Sequence, residues 1–228
     1  MIAEIGHFAL ILALIVAVIQ GVLPLVGAAR GISSWMTAGR MCASANALFL
    51  TVAFASLAYC FYISDFTVLN VANNSNSLLP WYYKVAATWG SHEGSILFWS
   101  VTLSWWALAV SFASRRLSEE MMARVLGIMG LVLMGFLAFM LFTSNPFLRL
   151  FPAAPEGADL NPLLQDPGMV FHPPLLYLGY VGFSVPFAFA LAALISGKLD
   201  VAWARWMRPW TTASWVLLTL GISLGSYW

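Results

Sequence analysis

Six long apolar runs constrain this chain more than any other feature. They occupy residues 5–28, 41–63, 94–113, 123–143, 174–195 and 210–228. Each is close to the roughly 20 residues that a helix needs to cross a hydrocarbon core. In lipid every backbone N–H and C=O must be bonded internally, and a helix does this within one segment. Charge is correspondingly scarce. Only 8% of residues are charged and mean hydropathy is +0.86, where a soluble domain carries about 25% charged residues. The runs predict an all-α, polytopic transmembrane helical bundle of about six spans, with small residues such as Gly127, Gly130, Gly135, Gly179 and Gly182 letting helices approach closely. No signal-peptide pattern precedes the first run, which is too long for a cleavable h-region.

Basic residues orient the bundle. Arg30 and Arg40 lie between runs one and two, Arg115, Arg116 and Arg124 between three and four, and Lys198, Arg205 and Arg208 between five and six. Only Lys84 and Arg149 fall on the other side. The positive-inside rule then places the eight in the cytoplasm, and the N-terminus and the two longer loops on the outer, periplasmic face. Those loops are 64–93, polar in NNSNS and aromatic in WYYKVAATW, and 144–173, which holds six of the eleven prolines. The second is expected to be extended and ordered by packing. A net charge of +1 excludes the basic patch that nucleic-acid binding needs. Cys42 and Cys60 fall on one predicted helix, roughly 27 Å apart at about 1.5 Å per residue, too far for a disulfide. The middle of the bundle holds almost no ionisable residue, which weakens an ion-coupled transporter reading.

All three histidines, His7, His92 and His172, map to the outer side. In FHPPLLYLGY, residues 171–180, His172 is expected at the last step before a helix opened by Pro173 and Pro174, because proline suits a first helical turn. A neutral imidazole there can hold haem iron, zinc or copper, or it can simply cap the helix. In WGSHEGSILFW, residues 89–99, Trp89 and Trp99 flank a polar turn containing His92 and Glu93. The turn can be a plain helix start with Glu93 facing the macrodipole, or its indoles can line a flat aromatic ligand. It is not a zincin motif, since position 96 is Ile. Arg149, in NPFLRLFP, can clamp a carboxylate such as a haem propionate, or meet a lipid phosphate or Asp159. No nucleophile triad, carboxylate pair or phosphate loop is present.

The combination of WGSHEGSILFW, NPFLRLFP and DLNPLLQDPGMVFHPPLLYLGYVGFSVPFAFALAAL resembles the CcmF-type haem lyase family of bacterial cytochrome c maturation. EIGHFALILAL at the start and WARWMRPWTTASWVLLTLGISLGSYW at the end extend the resemblance over the whole chain. Single motifs are shared with the wider CcmC and CcsA-type haem-handling proteins. The resemblance implies a bacterial inner-membrane protein that receives haem from the haem chaperone CcmE. It implies covalent attachment of that haem to apocytochrome c at the periplasmic face, alongside thiol-handling and apocytochrome-delivery subunits of the CcmH/CcmI type.

Within that resemblance His172 matches the family's first periplasmic haem ligand, and His92 sits in its WGxHEG motif with a structural or pocket-lining role. Trp89, Trp99 and Arg149 are placed near the haem or its propionates. Residues 1–85 are expected to form an N-terminal transmembrane region and 86–228 a cytochrome c assembly domain. The family's WWD segment, second axial histidine and transmembrane histidine pair are expected beyond Trp228, so the chain looks like the N-terminal part of a lyase and is expected to be inactive alone. Two other functions fit the same residues: a paralogous lyase serving a c-type nitrite reductase, and a membrane scaffold that docks delivery subunits without binding haem.

Overall fold

A computed structural model describes residues 1–114, 117–197 and 201–228. Arg115, Arg116 and Lys198, three of the orienting basic residues, lie outside the described residues. The described chain is helical nearly throughout: α1 (Ile2–Arg30), α2 (Ser33–Tyr62), α3 (Leu69–Asn74), α4 (Trp81–Gly90), α5 (His92–Ala113), α6 (Glu119–Phe142), α7 (Pro167–Gly182), α8 (Ser184–Ser196) and α9 (Val201–Tyr227). Among the described residues, five segments are long and apolar enough to cross a membrane, with α7 and α8 together forming one of them. The sixth apolar run lies within α9, a helix of 27 residues. It is long enough, but Thr211, Thr212, Thr219 and several serines dilute its apolar character.

The first two helices form a hairpin faced with small residues. Ala3, Ala9, Ala13 and Ala17 of α1 and Ala43, Ala47 and Ala53 of α2 are all buried. Side chains this short let axes approach and replace lipid contacts with close packing. Helix α6 closes on the pair at Gly130, where a Cβ would lie 2.8 Å from the backbone nitrogen of Gly21. A polar link crosses the same three-helix contact. Asn46 donates to the side-chain oxygen of Gln20 at 2.9 Å, and Gln20 donates to the carbonyl of Leu126 at 3.0 Å. Both side chains are buried.

Starts and breaks follow local chemistry. Ser91 caps α5 by accepting from the N–H of Gly94, and Ser118 caps α6 by accepting from Met121. Helix α7 begins earlier than the double proline suggests. Asp166 caps it by accepting from Gly168 at 2.7 Å, and Pro167 fills its first position. His172 is therefore in the second turn, with Pro173 and Pro174 inside the helix. The run 174–195 is likewise not one helix. It breaks at Phe183, where Pro186 offers no N–H to the carbonyl of Gly182.

The two long loops join into one ordered cap. Leu69 donates to the carbonyl of Leu148 at 2.8 Å, Leu150 to Thr67 at 2.9 Å, and Ala158 to Ala72 at 2.7 Å. Asn76 bonds Asp159, and Ser77 bonds Glu156 through both its amide and its hydroxyl. The Ser77 hydroxyl and the nearby amides hold the Glu156 carboxyl below its ordinary range. Proline content in 144–173 thus produces an extended path fixed by its neighbour loop.

Candidate haem-facing site

Helices α7 and α9 pack along their lengths and bring the ends of two distant segments together. The Nδ1 of His172 lies 2.7 Å from the carbonyl oxygen of Gly221. A carbonyl only accepts, so Nδ1 carries the proton, and Nε2 is the lone-pair nitrogen. That is the tautomer a metal-binding imidazole needs. The ring lies against Gly225, where a Cβ would stand 2.4 Å from His172 Cε1. Only glycine lets α9 pass this close.

A cleft of about 400 Å³ opens beside the ring. Asp166, Pro167, Gly168 and Phe171 line one side; Leu224, Tyr227 and Trp228 line the other. The Trp228 ring is tilted 57° to the imidazole with centroids 5.6 Å apart. Tyr227 is 95% exposed and Trp228 44% exposed. A mostly apolar, aromatic-walled cleft with an imidazole in its lining suits a flat hydrophobic group that carries a metal. Apart from His172, the residues lining the cleft include no His, Met or Cys, while Tyr227 and Asp166 place two oxygen donors in the same lining.

The other sequence candidates are not among the residues that line this cleft. Trp89 donates from Nε1 to the carbonyl of Met169 at 3.0 Å, and so braces the first turn of α7. Trp99 lies deeper, with Phe136 at 4.6 Å and Tyr180 at 4.8 Å between ring centroids. His92 sits at the first position of α5 and shares a hydrogen bond of 3.2 Å with Ser144. His7 accepts from Asn145 at 3.2 Å. Arg149 bonds Glu4 through Nε at 2.9 Å and also meets Asp65 and Thr67. It ties the start of α1 to both outer loops.

Residues 221–228 are the part of the site that sequence reading missed. The signal was present as GISLGSYW, with glycines four apart on one helix face. Which helix that face would meet is a long-range fact.

Comparison with known proteins places the chain in a family. The family model for cytochrome c assembly proteins matches residues 89–228. A cytochrome c-type biogenesis protein CcmF of Pseudomonas aeruginosa is 58% identical over all of this chain and 35% of its own length. The Escherichia coli protein of the same name is 56% identical over the same share. A cytochrome c-type biogenesis protein NrfE of Haemophilus influenzae is 47% identical. A solved structure of the cytochrome c haem lyase CcmF covers the whole chain with a TM-score of 0.88 and 27% identity, using 36% of its own length. The chain thus spans about a third of the relatives it matches. With its second half and more covered by the family model, and with its helices superposing on a solved relative, this multi-pass membrane protein belongs to the cytochrome c assembly family, on its CcmF-type branch.

Proposed function

We propose that the chain handles haem at the outer face of a bacterial inner membrane, as part of a lyase that attaches haem to apocytochrome c. The observation that carries this reading is the imidazole of His172. Its Nδ1–H is fixed on the Gly221 carbonyl, and its ring borders the cleft lined by Phe171, Leu224, Tyr227 and Trp228. Haem in transit is the cargo, with its iron held from one side by Nε2.

Thioether formation adds a thiol S–H across a haem vinyl group, so the protein's contribution is to hold the partners in register. The residues of this chain do three parts of that work. His172 orients the haem, the aromatic walls exclude water, and Trp89 holds the turn from which His172 projects. Trp99, His92 and Arg149 stabilise the surrounding helices and the outer cap. Haem delivery by a CcmE-type chaperone and thiol handling by CcmH/CcmI-type subunits belong to the same proposal. So does a periplasmic placement of the cap, which rests on Arg30, Arg40, Arg124, Arg205 and Arg208 gathering at the opposite end of the bundle.

The test is His172→Ala in the full-length protein, expressed with its maturation partners. The expected result is loss of haem from the purified protein and a collapse in holocytochrome c yield at unchanged protein level. Unchanged haem content and yield would overturn the assignment.

A further inference from the structure

The basic end of α9 carries a helix face that lies apart from the His172 cleft. Arg205 and Arg208 are three residues apart and share a helix face. Both are exposed, and neither has an ion-pair or hydrogen-bond partner among the described residues. The same helix face continues past Pro209 and Thr212 to Ala213, Val216 and Leu217. It therefore changes from two guanidiniums and a hydroxyl to bare apolar side chains within about two helical turns. Val216 is 43% exposed. Indoles mark the same level of the bundle: Trp203 donates to the carbonyl of Phe189 at 3.1 Å, and Trp210 meets Trp106 edge-on at 6.0 Å. Tryptophan collects where a helix passes from hydrocarbon to headgroups.

We infer that this helix face binds one anionic phospholipid of the leaflet at the basic end. The lipid phosphate sits between Arg205 and Arg208, with Thr212 as a further donor, and an acyl chain lies along Ala213, Val216 and Leu217. Paired guanidiniums match phosphate oxygens in a fixed fork geometry, which a single lysine does not. The apolar continuation selects a lipid over free phosphate, because an inorganic ion fills only the charged half. A net negative headgroup is preferred to a zwitterionic one, because two unneutralised cations face it without a carboxylate between them.

The experiment uses the full-length protein in nanodiscs of phosphatidylcholine with one quarter phosphatidylglycerol, followed by release into detergent and native mass spectrometry of retained lipid. The expected result is phosphatidylglycerol retained about tenfold above its bulk share, falling to the bulk share in the Arg205→Gln/Arg208→Gln double variant. Thr212→Val should give a smaller loss. Thermal unfolding in detergent should be unchanged in the double variant, since neither guanidinium has an internal partner. Equal retention of phosphatidylcholine, retention that survives the double substitution, or displacement by inorganic phosphate would each overturn the inference. Absence of any retained lipid in the wild type, as when protein covers this face, would do so too.

Discussion

The indole N–H of Trp89 donates to the carbonyl of Met169 at 3.0 Å, and that carbonyl is free because the residue four positions on is Pro173. In an uninterrupted helix the N–H of residue 173 would take it. The proline removes the donor, and an aromatic side chain from a different helix supplies one. This exchange couples WGSHEG to FHPP and explains how a double proline can lie inside α7 directly after His172. Trp89→Phe keeps the ring and deletes the donor, so it should destabilise the full-length protein by about 1 kcal/mol. In a Pro173→Ala background the helix recovers its own N–H, and the same substitution should cost much less. A double-mutant cycle from thermal unfolding checks this, and additive losses would show that the bond does not brace α7.

The approach of α9 to His172 is equally specific. A methyl at position 225 would stand 2.4 Å from His172 Cε1, so Gly225→Ala must push the ring aside and break its bond to the Gly221 carbonyl. Haem retained by the purified full-length protein should fall about tenfold, the equivalent of one lost hydrogen bond at the upper end of its range. The variant keeps the His172 side chain and changes only its position. Absorption titration with haem reads the change directly.

The outer cap should be acid-sensitive at its loop-to-loop clasp. Hydrogen bonds from Ser77 and Gly157 lower the pKa of Glu156 in the folded state. A depressed carboxylate stabilises the fold fully above its unfolded pKa, and that contribution is lost as pH falls through the lower, folded value. Hydrogen exchange of residues 64–80 should therefore be slow at neutral pH and rise below about pH 4. Glu156→Gln should exchange faster at neutral pH and lose most of the acid dependence.

Inside the bundle, Gln20 and Asn46 specify how α1, α2 and α6 meet. Deleting either with leucine leaves the other with an unmatched buried amide. Interhelical hydrogen bonds in membranes are worth about 0.6 kcal/mol on average. Coupling between Gln20→Leu and Asn46→Leu should be of that order when unfolding is followed in mixed detergent.

Much of this architecture was legible in the sequence because membrane helices announce themselves locally. Apolar run length marked every long helix. Two features were not. The passage of α7 through Pro173 is supported by Trp89, which bonds a carbonyl eighty residues away, and no local rule anticipates that. The break at Phe183 follows from Pro186 but is hidden in a continuous apolar run. At the site, His172 was found from its motif alone. Its wall of Gly221, Gly225, Tyr227 and Trp228 came from a segment whose partner helix could not be read from spacing. Arg149 shows the same limit: its residue type suggested a carboxylate clamp, and the carboxylates it meets are Glu4 and Asp65, far away in the chain.

The central claim is that His172 holds haem iron through Nε2. Its most direct measurement is the absorption spectrum of haem bound to full-length His172→Gly, with and without added imidazole. The account predicts loss of the haem spectrum in the variant and its return when imidazole fills the vacated space beside Gly225 and Trp228. A spectrum identical to wild type without imidazole would contradict it.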